Sequence, residues 1–159
     1  ANAIGKHLPV FEAIIPSNLQ HKQWSFNKLT EILGSLKGRT VAVCGLTYKA
    51  GTDTLRRSSA IELCESLHHA GVIVQAHHPV IKQEPTELHY INLASTAVDA
   101  VKGADAVVVM TTWPEFKQWD GPSVLAAMSQ KIVLDPNRFL QAVFSGDASV
   151  RYYTIGKNA

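Results

Sequence analysis

Gly38-Arg39-Thr40-Val41-Ala42-Val43-Cys44-Gly45 is where the chain changes character. Beyond it, short β-rich runs alternate with helical stretches. A strand at 40–45 is followed by Ser58 or Ser59, either able to cap a helix that carries Ile61, Cys64, Leu67 and His68 and ends at Gly71. Further strands are expected at 72–76, 90–93, 132–134 and 150–155, and further helices at 95–102, stopped by Gly103, and at 122–129. Ala106-Val107-Val108-Val109-Met110 is unbroken apolar sequence, the mark of a central parallel strand covered on both faces. Strands alternating with helices fold as right-handed βαβ units. The expected class is therefore α/β: a Rossmann-like open parallel sheet with helices on both faces.

Upstream of Gly38 the period is helical. Ile4, Leu8, Phe11 and Ile15 recur at helical spacing, as do Leu19, Phe26, Leu29, Leu33 and Leu36. Pro9 suits a first helical turn, and Pro16 predicts a kink or break before Ser17, giving two helices. Two helices have little of their own to pack against, so their apolar stripe is expected to dock on another domain or a second subunit. The chain opens at Ala1 already in mid-pattern and reads as a piece of a longer protein.

Composition narrows the function classes. The chain has 159 residues, 46% hydrophobic and 18% charged, which is the balance of one folded domain rather than a disordered segment. Fifteen Lys+Arg against thirteen Asp+Glu leave a formal charge of +2, too little for a nucleic-acid partner. No apolar run approaches the roughly 20 residues that span a bilayer. Cys44 and Cys64 cannot build a disulfide framework and sit in apolar runs as small core residues do, so a reducing cytoplasm is expected.

Ligands of such sheets bind beyond the carboxyl ends of the strands, where strand order reverses. Three chemically rich loops fall there: 46–57 after the first strand, 111–116 after the apolar strand, and 135–139 after the next. The first is long for a βα connection. Lys49, Arg56, Arg57 and Arg138 supply charges suited to phosphate oxygens, with Tyr48 beside them. These residues support two readings, a grip for a phosphate-bearing ligand or a solvated loop with surface arginines. A dinucleotide fingerprint is absent, because G-x-G-x-x-G from Gly45 would need glycine at Thr47 and Ala50. His77-His78-Pro79 stands where a ribose-binding acid is expected.

Other constellations read as structure. His68-His69 and His77-His78 are adjacent pairs whose side chains diverge, so each is expected as ordinary surface or core histidine and no metal site is assigned. Asp105 is expected to mark a strand start, Asp120-Gly121 a turn, and Trp113 and Trp119 packing anchors. Neither cysteine suits a nucleophile, since desolvation keeps a core thiol protonated.

The segment from Cys44 to Ser59, Cys-Gly-Leu-Thr-Tyr-Lys-Ala-Gly-Thr-Asp-Thr-Leu-Arg-Arg-Ser-Ser, closely resembles the signature G-L-[TA]-[FY]-K-x-x-T-D-D-x-R-E-S of the UDP-glucose/GDP-mannose dehydrogenase family. Gly103-Ala104-Asp105-Ala106 running into Thr111-Thr112-Trp113-Pro114-Glu115-Phe116 is similar to its G-A-D-A…T-x-W-x-E-F, and Asp135-Pro136-Asn137-Arg138 to its D-x-R-N turn. Leu8-Pro9 and 18–36 resemble the long helix joining the family's two Rossmann-like domains.

The resemblance implies a function. Members oxidise the C6 alcohol of a nucleotide sugar to a carboxylate with two NAD in succession, through a thioester on a cysteine. An N-terminal domain holds NAD, a central helical region forms the dimer, and the C-terminal domain grips the nucleotide sugar. Residues 1–37 correspond to the end of the central region and 38–159 to the C-terminal domain. Tyr48 and Lys49 match substrate contacts, Arg56 the arginine reaching toward NAD on the other domain, and Asn137 or Arg138 the arginine that holds the nucleotide. The implied partners are a UDP-sugar, an N-terminal NAD domain, and a second copy joined through 9–36. No catalytic residue is assigned, and this chain alone is expected to be inactive. Departures are Thr54 for the second acid of T-D-D, Arg57 for the Glu of R-E-S, His78 for the usual Asp after the second strand, and Arg138 one place late. A non-catalytic nucleotide-binding module and a ligand-free dimerisation piece are the competing readings.

Overall fold

A computed structural model of the chain describes residues 9–81 and 88–156. Its elements run α1 (Pro9–Leu33), β1 (Thr40–Cys44), α2 (Ser59–His69), β2 (Ile73–His77), β3 (Ile91–Ala94), α3 (Ala97–Val101), β4 (Ala106–Val109), a 3-10 turn (Pro114–Gln118), α4 (Gly121–Ala127), β5 (Ile132–Leu134), α5 (Gln141–Phe144) and β6 (Arg151–Tyr153). The six strands form one sheet in the order β3-β2-β1-β4-β5-β6, with every pairing parallel. Chain order reverses between β1 and β4, so the ligand-binding crevice of this topology opens at their carboxyl ends.

Two-residue alternation divides the core. Val41 and Val43 of β1, Ala106 and Val108 of β4, and Ile132 and Leu134 of β5 face the layer of α1 and α2. Ala42 and Cys44, Val107 and Val109, and Val133 face the opposite layer, with Val101, Val124, Leu125 and Phe144. Both faces of the three central strands are buried, which is why their sequence is continuously apolar. Ser58 caps α2, its hydroxyl accepting from the Ala60 amide at 3.2 Å, and Gly71 follows with φ 79°.

Three expectations change. Instead of two helices, α1 runs unbroken through Pro16. An interior proline removes one main-chain donor and costs about 3 kcal/mol, but it need not end a helix held elsewhere. Here Leu29 and Leu33, with Leu36 just beyond the helix, are buried within this chain against α2 and the sheet, so this part of the stripe needs no other domain. Asp120-Gly121 does not form a free turn; it opens α4, with Asp120 as the N-cap residue and the Ser123 hydroxyl on its carboxylate. The expectations at Ile4 and Leu8, and those for the side chains of Phe11, Ile15 and Leu19, lie outside the described residues. No helix among the described residues is long and apolar enough to cross a membrane.

Candidate functional site

The rim of the sheet is built from main-chain contacts first. Gly45 ends β1 with φ 85°, and Thr111, just past β4, closes over it: the Thr111 hydroxyl donates to the carbonyls of Gly45 at 3.1 Å and Thr47 at 2.8 Å. Thr47 lies beneath the loop. Its hydroxyl donates to the Lys49 carbonyl at 3.0 Å, takes the Trp113 indole N–H at 3.2 Å, and lies 3.1 Å from His78 Nε2. The loop then folds back on itself through the Tyr48 amide to the Thr54 carbonyl at 2.9 Å and the Thr52 hydroxyl to the Lys49 carbonyl at 3.2 Å.

Above this support the side chains are free. Tyr48 is 64% exposed although aromatic, and Lys49, Arg56 and Arg57 are exposed with it. Tyr48, Thr54, Arg56 and Arg57 line an open cavity of about 410 Å³. Arg57 holds a left-handed backbone, φ 60°, which a non-glycine residue adopts at a cost of about 1–2 kcal/mol. Neither arginine, nor Lys49, has a carboxylate partner among the described residues, whereas Lys22, Lys28, Arg39 and Lys131 pair with Glu62, Glu31, Asp105 and Asp147 elsewhere. The N-terminus of α2 adds partial positive charge to the same rim.

The β5 loop turns on Asp135, whose buried carboxylate accepts from the amides of Asn137 at 3.2 Å and Leu140 at 2.7 Å and from the Tyr152 hydroxyl. Burial and that bond to a carboxylate push the Tyr152 phenol far above its ordinary pKa, so it remains a donor. Arg138 follows with φ 56°; its guanidinium is steadied by the Thr154 hydroxyl at 3.1 Å and the Ile155 carbonyl at 3.3 Å. Arg138 lines a second cavity, of about 600 Å³, with Lys117, Trp119 and Phe139. Lys117 sits 4.6 Å from the centre of the Phe139 ring. Asn137 is exposed beside it.

All five residues singled out from the sequence thus stand in loops beyond the carboxyl ends of β1 and β5. Tyr48 and Arg56 share one cavity, Arg138 opens on the other, and Lys49 and Asn137 are exposed between flanking loop residues. Sequence reading missed the layer underneath: Thr47, His78, Trp113 and Thr111 are buried and bonded across the loops after β1, β2 and β4, while buried Asp135 ties its own loop to β6. Their signal was a polar residue at the end of each apolar strand. His68 and His69 are exposed while His77 and His78 are buried. Burial pushes both thiols, Cys44 and Cys64, up to about 12, and neither forms a disulfide.

The family model described as "UDP-glucose/GDP-mannose dehydrogenase family, UDP binding domain" matches residues 42–142. A UDP-glucose 6-dehydrogenase of Rickettsia conorii is 34% identical over 151 residues, 92% of this chain and 35% of its own length. The solved UDP-N-acetyl-mannosamine dehydrogenase of Staphylococcus aureus superposes with a TM-score of 0.71 at 27% identity, covering 88% of this chain and 32% of that one. A UDP-D-ManNAc dehydrogenase structure from Pyrococcus horikoshii, at 23% identity and TM-score 0.73 over 95% of this chain and 34% of its own, shares the fold. The chain spans about a third of the length of the relatives it matches.

Proposed function

The chain belongs to the UDP-glucose/GDP-mannose dehydrogenase family, and on that premise we propose that its rim grips the diphosphate of a UDP-sugar, as the substrate-binding part of an NAD-dependent enzyme that oxidises the C6 alcohol to a carboxylate. One observation carries the reading: Lys49, Arg56 and Arg57 stand together on the loop after β1, none with a carboxylate partner among the described residues, beside the N-terminus of a capped helix. A sugar diphosphate carries two negative charges and supplies that missing partner. Lys49 and the arginines give charge-assisted bonds, and Tyr48 offers a flat face or a hydroxyl to base or ribose. Asn137 and Arg138 hold the nucleotide from the β5 side.

The same geometry argues against NAD in this domain's own β1 turn. A dinucleotide turn uses a bare glycine to admit a pyrophosphate, whereas the space over Gly45 is filled by Thr111, whose Cβ would lie 2.8 Å from a Cβ built there. NAD is therefore assigned to a separate domain, with Arg56 reaching toward it from the rim. Cys44 and Cys64, protonated and buried, are not thioester nucleophiles, and this chain alone turns over nothing. The free thiols suit a reducing cytoplasm, and α1 offers the surface for a second copy.

Calorimetry and thermal melts test the reading. UDP-glucose at about 100 times its Kd stabilises the fold by about 2.7 kcal/mol, roughly a 5–10 °C rise in Tm at this size. Lys49→Ala removes most of that rise, and the chain mixed with NAD and UDP-glucose yields no NADH. Protection by an unrelated nucleotide but by no UDP-sugar, or NADH formed by the chain alone, would sink the assignment.

A further inference from the structure

His78 directly follows β2, and its two ring nitrogens do different work. Nδ1 accepts the main-chain N–H groups of Val80 and Ile81, each at 3.2 Å. Those are the second and third residues onward, the two donors that an Asp carboxylate takes in an Asx turn. Because Nδ1 accepts, the ring proton belongs on Nε2, which points at the Thr47 hydroxyl 3.1 Å away. Thr47 takes that proton and the Trp113 indole proton at 3.2 Å, and gives its own to the Lys49 carbonyl at 3.0 Å. The ring also meets Trp113 edge-on, with centroids 4.9 Å apart. His78 is 1% exposed and Thr47 1%, so the contact between them is shielded from water.

A carboxylate at 78 would keep the turn but could not donate to Thr47. We propose that His78 is a positioning residue for nucleotide-sugar binding: it adds to the turn a second bond, through the Thr47 hydroxyl, that fixes the main chain at Lys49 and so the placement of the cationic loop. The loops after β1, β2 and β4 thereby meet on one oxygen atom. This deepens the proposed function and rests on it, since the ligand is the UDP-sugar of that reading.

The test is a double-mutant cycle read as UDP-glucose Kd, with hydrogen exchange of the 48–54 amides in the unliganded chain. His78→Asn preserves an acceptor for Val80 and Ile81 but is too short to reach Thr47. Thr47→Val removes the shared hydroxyl, and Thr47→Ser keeps it. His78→Asn and Thr47→Val each weaken binding roughly tenfold and speed exchange over 48–54, while the double variant is no worse than about twofold beyond either, as coupled sites behave. Thr47→Ser stays within about twofold of the unmodified chain. Val133→Ala, a core truncation away from the loop, lowers Tm without moving Kd, which separates positioning from general loss of stability. Should Thr47→Val not fold, His78→Asn against Thr47→Ser decides alone. If the unmodified chain binds UDP-glucose and His78→Asn binds it equally, or if the two losses multiply, the inference fails while the functional reading stands. If the unmodified chain does not bind, both fall.

Discussion

A Cβ placed on Gly45 would lie 2.8 Å from the Cβ of Thr111 and 2.9 Å from both its main-chain nitrogen and its oxygen. Two of those atoms are backbone and cannot swing aside, and the residue also needs φ 85°. Gly45→Ala should therefore cost at least about 3 kcal/mol, backbone strain and overpacking together. Gly51, four residues short of Leu55 in the same loop, has φ 76° but nothing within 4 Å of its added Cβ. Gly51→Ala should cost only the left-handed penalty, about 1–2 kcal/mol. Urea melts of the two variants check the difference; equal losses would mean that Thr111 does not press on β1.

Arg57 carries the next expectation, because its strain and its charge separate. Arg57→Gly relieves a left-handed penalty of about 1–2 kcal/mol and adds about 0.5–1 of unfolded-chain entropy, a net gain near 0.5 kcal/mol. The same change deletes one of the unpaired cations of the Tyr48–Arg56 cavity, so UDP-glucose affinity should fall several-fold. Arg57→Ala loses the charge and keeps the strain. Urea midpoints and calorimetry on both variants read the two effects; a stabilised Arg57→Gly with unchanged affinity would remove Arg57 from the site.

What was legible in the sequence follows from how local each feature is. β1, β4 and β5 declared themselves because both faces of a central parallel strand are buried, and the α2 boundaries because Ser58 and Gly71 act within one turn. The 3-10 turn at Pro114–Gln118 and α5 at Gln141–Phe144 were not read, being five and four residues long, too short to show a period. Pro16 misled because its local cost was set against no tertiary compensation. At the site, the exposed cations were named correctly as loop residues, since charge at the end of an apolar strand is a one-dimensional signal. Thr47, Thr111, Trp113 and His78 were read only as motif letters or packing. Their bonds join residues 31 to 66 positions apart, and no spacing rule carries that information.

The thiols give a third expectation. Cys44 and Cys64 are both 0% exposed, and burial pushes each up to about 12. At mildly alkaline pH the thiolate fraction is negligible, so iodoacetamide should modify neither residue in the folded chain and both after denaturation. Mass spectrometry before and after adding guanidinium gives the answer. Rapid alkylation of the native chain would place a reactive thiol where the core should be.

Asp105 sets the acid limit of the fold. Burial opposes its ionisation, but the Thr40 amide at 3.0 Å, the Gln130 amide at 2.9 Å and the Arg39 guanidinium at 3.3 Å together outweigh that penalty and hold the carboxyl below its usual range. A carboxylate with a lowered folded pKa stabilises the native state above its unfolded value, and that contribution fades as pH falls through the folded one. Stability should thus decline from about pH 4 downward, where the unfolded chain binds the proton first. Asp105→Asn should be less stable near neutrality, because the charged partner of Arg39 and Thr40 is gone, and its curve should be flatter below that point. Asp147, held at about 2 by hydrogen bonds from Lys131 and Ser149, is a second acid-range group, and its partly exposed pair with Lys131 responds to added salt. Urea melts across the acid range at high salt isolate Asp105; parallel curves for the two chains would show that its network, which ties the start of β1 to β4, does not govern acid unfolding.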